Sequence, residues 1–90
     1  MDTDILVKAI DHFGNQNQIS KSIEEMSELI SELARYQNNK GMNVNLIEEI
    51  ADVSIMVDQL KLIFGSELVD CQRAVKLRRL KGILDDLNLK

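Results

Sequence analysis

Residues 47–53 read IEEIADV and residues 23–29 read IEEMSEL, so this short chain repeats an acidic doublet followed by an acid three residues later. Each segment continues into apolar residues at helical spacing. At about 100° per residue, the second acid of each doublet and the acid three residues on lie on one face of a helix. The repeated pattern therefore predicts two helices whose carboxylates occupy matching faces.

The surroundings of these acids are unusual on the later segment. With Ile47 at zero on a helical wheel, Glu49 and Asp52 fall about 60° apart and bracket Met56. Glu25 and Glu28 take the same angles when Ile23 is set at zero. We therefore expect the two acid pairs to face each other if their helices pack antiparallel across a short loop.

Glycines and polar clusters divide the 90 residues into four predicted helices. We predict a first helix capped by Asp2 or Thr3 and stopped by Gly14, a turn at 15–18, and a second helix from Gln18 or Ser20 to Gln37. A loop at 37–43, a third helix opened by Asn45 with Glu48, and a fourth helix from Ser66 follow. Gly82 weakens the end of the fourth helix, so residues 83–90 either extend it or pack separately.

The composition supports an all-α class and one domain over residues 1–90. No proline, four glycines and 44% hydrophobic residues favour helices joined by short loops in a four-helix-bundle arrangement. The net charge of -4 argues against a protein whose main role is to bind nucleic acid. A single cysteine, Cys71, suits a reducing compartment, and neither a membrane span nor a signal peptide is evident. We therefore expect a soluble, complete, cytoplasmic protein with no membrane partner.

The third predicted helix is apolar around nearly its whole axis, in residues 50–64. A helix that is hydrophobic all round is normally buried, and three other short helices can hardly cover it. We therefore expect the bundle to be completed by association, as a dimer or a larger homo-oligomer.

Four carboxylates brought to one point repel each other unless a cation compensates them. Oxygen-only ligands with no nearby His or Cys favour Mg²⁺, or Mn²⁺, over Zn²⁺. Two simpler interpretations remain open. The acids can form an ordinary solvated helix face, or they can be held by buried salt bridges to basic residues. The candidate bases for such bridges are Lys21, Arg35, Lys61 and Arg73.

The two acidic segments resemble a known signature. EEMSE at 24–28 followed by EEIAD at 48–52 is similar to the EExxE…ExxD motif of the MazG-like, all-α nucleoside triphosphate pyrophosphohydrolases. The resemblance extends from about Phe13 to Lys81 and is closest to the short members from phages and Gram-positive bacteria. It implies a MazG-like fold built as a dimer or tetramer of four-helix units.

The resemblance also implies a reaction and a set of site residues. The reaction is Mg²⁺-dependent hydrolysis of a (d)NTP to the monophosphate and pyrophosphate, in nucleotide-pool control or housecleaning. Matching the motif position by position places the metal ligands at Glu25, Glu28, Glu49 and Asp52. One of these four acids, or Glu24 or Glu48 beside them, is then a candidate base that orients the attacking water. The candidate substrate contacts, which are Lys and Arg for phosphate and Gln for base or sugar, are Gln18, Lys61, Lys76 and Arg79.

A hypothesis of another class stands beside the enzyme. The same helical fold can serve as a catalytically silent module for oligomerisation or protein interaction. Pyrophosphate release separates these two hypotheses, and stabilisation by metal separates both from a bundle held only by salt bridges.

Overall fold

The computed structural model describes residues 2–41 and 43–87. Its helices are α1 (Asp2–Phe13), α2 (Asn15–Arg35), α3 (Val44–Phe64) and α4 (Ser66–Asp86), and a π-helical segment, Tyr36–Lys40, extends α2. Within these described ranges the chain forms no strand. The predicted all-α class and the number of helices are therefore confirmed.

The body of the molecule is the pair formed by α2 and α3. Gln18 near the start of α2 contacts Gln59 near the end of α3, and Glu25 lies beside Asp52 further along. This reversed order shows that the two helices are antiparallel, as predicted. Helix α1 packs against both of them, whereas α4 contacts α3 alone among the helices.

The boundary between α1 and α2 differs from the prediction, because residues 15–18 are not a turn. Gly14 alone separates the helices, with a φ of 90° that glycine adopts without strain. Asn17 then donates from Nδ2 to the carbonyl of Phe13 at 2.7 Å, which satisfies one free acceptor at the end of α1. One glycine redirects the chain, so the polar residues that follow can form the first turn of α2.

The connection from α2 to α3 is also shorter than predicted. Helical backbone continues through Lys40 and ends at Gly41, which has a φ of 79°. Helix α3 begins at Val44, and the side chain of Asn43 accepts a hydrogen bond from the backbone N–H of Leu46 at 3.0 Å. The predicted cap at Asn45 is therefore wrong, since Asn43 directly precedes the first turn of α3 and its side chain satisfies one of the free N–H groups of that turn.

Gly82 does not interrupt α4, which runs without a break to Asp86. This resolves the predicted alternative for the tail in favour of extension as far as Asp86. The last part of that predicted tail, residues 88–90, lies outside the described residues.

The single chain buries little apolar surface. Among the described residues, the buried hydrophobic side chains are Leu46 and Met56, at 7% and 6% exposure. On α3, Ile50 and Ile55 are each 48% exposed, and Phe64 is 62% exposed. The apolar circumference of α3 is thus only partly covered by α1 and α2, and burial of the rest by association stays a prediction. Over the described ranges, no helix has the length and apolar character needed to cross a bilayer.

Candidate metal centre

The facing sides of α2 and α3 carry a strip of polar residues where a helix pair usually carries apolar ones. On α2 the buried residues are Gln18, Ser22 and Glu25, spaced four and three apart so that they share one face. Across from them on α3 lie buried Met56 and Gln59. The buried strip between these helices is therefore organised by hydrogen bonds and charge as well as by apolar packing.

The predicted carboxylates meet in this strip. Oxygen atoms of Glu25, Glu49 and Asp52 all lie within 4.8 Å of one another, which joins α2 to α3. Glu24, Glu25 and Glu28 form a second group at the same spacing, so Glu25 belongs to both. The prediction that the two acid pairs face each other is confirmed in this geometry.

Their charges are only partly compensated within the chain. Glu25 is 7% exposed, and its Oε1 accepts from Lys21 Nζ at 3.1 Å. Its Oε2 is buried without a hydrogen-bond partner among the described residues, and so is Oε2 of Glu49. The salt-bridge interpretation is therefore satisfied at one oxygen and leaves two buried oxygens of the same cluster unexplained.

The remaining bases named for such bridges lie elsewhere or pair elsewhere. Arg35 lies 3.8 Å from Glu32, and Lys61 pairs with Asp70 on α4. Arg73 is exposed on α4. Lys21 is the base that the described structure pairs with this cluster, and its carboxylate neighbours, with Glu25 first, raise its pKa above the ordinary 10.5.

Electrostatic repulsion within the cluster is strongest at Glu49. Burial of its carboxyl group, together with the nearby charges of Glu28 and Glu25, raises its pKa from 4.5 to about 7. A hydrogen bond with Glu28 and the charge of Asp52 act in the same direction. Glu28 therefore belongs to the same electrostatic unit as the carboxylates that meet at Glu25.

The donor set fits a hard divalent cation. Carboxylate oxygens are the ligands that Mg²⁺ prefers in proteins. The oxygens of Glu25, Glu49 and Asp52 lie within 4.8 Å of one another, close enough for one cation to be held between them. A cation would also supply the missing partner to the buried oxygens of Glu25 and Glu49. Glu25, Glu28, Glu49 and Asp52 are therefore able to hold Mg²⁺ or Mn²⁺.

The two candidate bases occupy different positions. Glu24 is exposed and belongs to the group formed with Glu25 and Glu28. Glu48 is also exposed, but it belongs to neither carboxylate group among the described residues. Glu24 is therefore the closer of the two to the candidate metal ligands.

Two of the predicted substrate contacts already have partners in the chain. Gln18 is buried and donates from Nε2 to Gln59 Oε1 at 2.7 Å. Lys61 Nζ lies 2.7 Å from Asp70 Oδ1 and lines an open cleft with Asp2 and Asp58, next to α1. Gln18 therefore lies at the interface of α2 and α3, and Lys61 links α3 to α4 through its ion pair.

The other two predicted contacts, Lys76 and Arg79, are exposed along α4. Over the described ranges this helix makes no contact with α2, which carries half of the predicted metal ligands. A single chain therefore does not join Lys76 and Arg79 to both halves of the carboxylate cluster.

Sequence reasoning missed two residues of the strip. Gln59 is 4% exposed, accepts from Gln18 and directs its Nε2 at the sulfur of Met56, a weak acceptor, at 3.8 Å. Glu32 has a buried Oε2 with no hydrogen bond in the described structure. The available signal was spacing, since Glu32 follows Glu28 by four residues and Gln59 follows Met56 by three, which keeps each on the face already identified.

Comparisons with known proteins identify no relative of this chain. No protein-family model matches this sequence, and neither a curated protein nor a solved structure gives a significant match. The carboxylate cluster and the resemblance of its two segments to the EExxE…ExxD motif are therefore the observations that bear on function.

Proposed function

We propose that this protein is a Mg²⁺-dependent nucleoside triphosphate pyrophosphohydrolase of the MazG-like type. The observation that carries the proposal is the convergence of Glu25, Glu49 and Asp52 from two helices, with buried carboxylate oxygens that lack a partner. The motif resemblance supplies the reaction class, which is cleavage between the α and β phosphorus atoms of a (d)NTP.

In this proposal the chain's own residues bind and orient. Glu25, Glu28, Glu49 and Asp52 hold the cation from two helices whose relative register is fixed by the Gln18–Gln59 hydrogen bond. When bound, Mg²⁺ neutralises the triphosphate, polarises the α phosphate and increases the acidity of a bound water. Carboxylates at the edge of the cluster that do not bind the cation accept the protons released by the attacking water.

Glu24 is the better-placed residue for orienting the attacking water. Its carboxylate lies within 4.8 Å of Glu25 and Glu28 and is exposed, so it reaches both the ligands and solvent. Lys21 Nζ lies 4.0 Å from Glu24 Oε1, so this carboxylate has a cation beside it at the edge of the site. Glu48 belongs to neither carboxylate group, which makes it the weaker candidate.

The silent interaction module remains the alternative because so much apolar surface is exposed. Val44, Ile47 and Ile50 on α3 are between 48% and 66% exposed. Surface of this kind marks an association site in a soluble protein. It is compatible with an enzyme that assembles, so it does not by itself favour the module over the enzyme.

The test is pyrophosphate release from a panel of (d)NTPs, measured with Mg²⁺ and with excess chelator, for the wild type and for Asp52→Asn. We expect metal-dependent release that falls at least a hundredfold in the variant, because one charged ligand is lost while the helix is kept. Circular dichroism should show unchanged helical content.

Asp58→Asn is the matched control, since it makes the same change on α3 outside the carboxylate cluster. It should retain activity. Mg²⁺ should also raise the melting temperature of the wild type and of Asp58→Asn but not of Asp52→Asn. Stabilisation by metal without pyrophosphate release would favour the interaction module. The absence of both stabilisation and release would favour a bundle held only by salt bridges.

A further inference from the structure

Lys21 is the cation that the described structure places against the carboxylate cluster. Its Nζ lies 3.1 Å from Oε1 of Glu25, one helical turn later on α2, and 4.0 Å from Oε1 of Glu24. The other bases considered above pair elsewhere or lie on α4, which makes no contact with α2 over the described ranges. Lys21 is therefore the basic residue of the described chain that can act on this cluster from within α2.

The carboxylate that Lys21 contacts is also the one that joins the two halves of the cluster. Glu25 belongs both to the group that spans the two helices and to the group on α2 alone. Its side chain is 9% exposed, and its Oε1 accepts from Lys21. Its Oε2 is buried and has no hydrogen-bond partner in the described part of the chain. One oxygen of Glu25 thus has an ammonium partner, and the other is available to a cation.

An ammonium group and a divalent cation on the same carboxylate repel each other. The repulsion is poorly screened here, because Glu25 is buried. It weakens metal binding while Lys21 stays in place, and it favours conformations in which Lys21 has left. Lys21 can leave at low cost, because its side chain is 50% exposed and ion pairs of exposed lysines are weak. Cation binding and the pairing of Lys21 with Glu25 therefore oppose each other.

A released Lys21 remains at the solvent edge of the cluster. Solvent reaches the cluster on this side, since the side chain of Glu24 is 60% exposed whereas that of Glu25 is 9% exposed. A triphosphate that binds the cation therefore approaches from the side on which Lys21 lies. The lysine ammonium group has three N–H donors and pairs with phosphate oxygens as a compact charge.

We propose that Lys21 has two successive partners. Without a cation it neutralises Glu25, and when a cation binds it leaves Glu25 and binds a phosphate oxygen of the triphosphate. The second role rests on the proposed function, whereas the first depends only on the carboxylate cluster. Because the triphosphate draws Lys21 away from Glu25, metal binding and triphosphate binding strengthen each other.

Titration calorimetry with Mn²⁺, in the absence of nucleotide, tests the first role. Lys21→Gln should lower the dissociation constant of Mn²⁺ about tenfold, because the competing positive charge is removed. Lys21→Arg keeps the charge and should bind Mn²⁺ as the wild type does. Lys81→Gln is the matched control and should leave the dissociation constant unchanged. It also removes an exposed lysine that pairs with an acid four residues later, Asp85, but on α4.

Thermal unfolding gives a second readout that needs no activity. In excess chelator, Lys21→Gln should melt below the wild type, because the buried carboxylate of Glu25 loses its partner. With saturating Mg²⁺ this deficit should disappear, because the cation then compensates Glu25 and binds the folded variant more tightly. An equal loss of melting temperature in both conditions would show that Lys21 only stabilises the helix, and would overturn the proposal.

Steady-state kinetics test the second role. At saturating Mg²⁺, Lys21→Gln should raise KM for the (d)NTP about tenfold and change kcat by less than about threefold, because the phosphate contact is made in the ground state and the transition state alike. Lys21→Arg should keep KM near the wild-type value. Tighter Mn²⁺ binding combined with a higher KM is not expected from the loss of a structural ion pair.

The outcomes separate this inference from the proposed function. Mn²⁺ binding that weakens or stays the same in Lys21→Gln would overturn the competition at Glu25. Tighter Mn²⁺ binding with an unchanged KM would reject the phosphate contact while the proposed function stands. If the wild type releases no pyrophosphate from any (d)NTP, the proposed function fails and the phosphate contact fails with it. Tighter Mn²⁺ binding by Lys21→Gln would then still support the first role.

Discussion

At the scale of single residues, Glu49 shows how burial and repulsion between carboxylates destabilise the metal-free site. Its pKa is raised to about 7 from 4.5 by burial and by Glu28 and Glu25, while Lys21 on α2 pairs with Glu25 and Glu24 and not with Glu49. Between these two values the folded state binds more protons than the unfolded chain. The free energy of unfolding of the metal-free protein should therefore fall as the pH rises through this range and remain low above pH 7.

Glu49→Gln should remove this dependence. In excess chelator, the variant is expected to be more stable than the wild type at pH 8, and the difference should shrink towards pH 5, as measured by urea unfolding. Glu48→Gln, which changes the exposed neighbouring residue, should keep the wild-type slope. If the free energy of unfolding of Glu49→Gln falls with pH as steeply as that of the wild type, Glu49 is not the group whose raised pKa causes the pH dependence.

The residues of the site were predictable to the extent that they follow from spacing on one helix. Glu25, Glu28, Glu49 and Asp52 were identified because the i, i+3 pattern fixes which side chains share a face. Gln59 was not identified, because its burial depends on meeting Gln18 of another helix at 2.7 Å. Pairing across helices depends on register, which single-helix periodicity does not contain.

At the scale of secondary-structure elements, the start of α3 determines where Glu49 and Asp52 lie along the helix. The cap is Asn43, whose Oδ1 accepts from Leu46 N–H at 3.0 Å. Asn43→Ala should lower the free energy of unfolding by about 1 kcal/mol, because a free N–H group of the first turn loses its acceptor. Urea unfolding in the presence of chelator measures this without a contribution from metal binding.

Asn45→Ala provides the comparison, since Asn45 is exposed in the first turn of α3. It should change the stability by less than about 0.5 kcal/mol. A larger loss in Asn45→Ala than in Asn43→Ala would mean that the helix begins where the sequence pattern placed it.

The element boundaries show why helix ends were harder to predict than helix interiors. Gly14 was recognised as a break because glycine adopts a positive φ, here 90°, without strain. The polar run at 15–18 was assigned to a turn because its residues are common in loops, although one glycine had already redirected the chain. Asn45 was assigned as the cap of α3 from its spacing to Glu48, and only the backbone geometry shows that the helix begins two residues earlier, after Asn43.

At the scale of the whole molecule, the described chain buries few of its apolar side chains. Leu46 and Met56 are the buried hydrophobic side chains among its described residues, while many apolar side chains of α3 and α4 are exposed. Association that covered these exposed apolar side chains would add to the hydrophobic stabilisation of the fold. The sequence indicated this through the apolar circumference of α3, but it did not indicate that α4 would be left without contacts to α2.

Folding should therefore depend on protein concentration. If association supplies the missing burial, the melting temperature of the wild type should rise by about 4 °C for each tenfold increase in concentration. Differential scanning calorimetry over a hundredfold range, in the presence of chelator, measures the shift independently of metal and substrate. Leu80→Glu should melt lower and with less dependence on concentration, because it places a charge on the exposed apolar surface of α4 that association would cover. A melting temperature that stays constant over this range would show that one chain folds alone, and that the exposed faces of α3 and α4 are tolerated in a stable monomer.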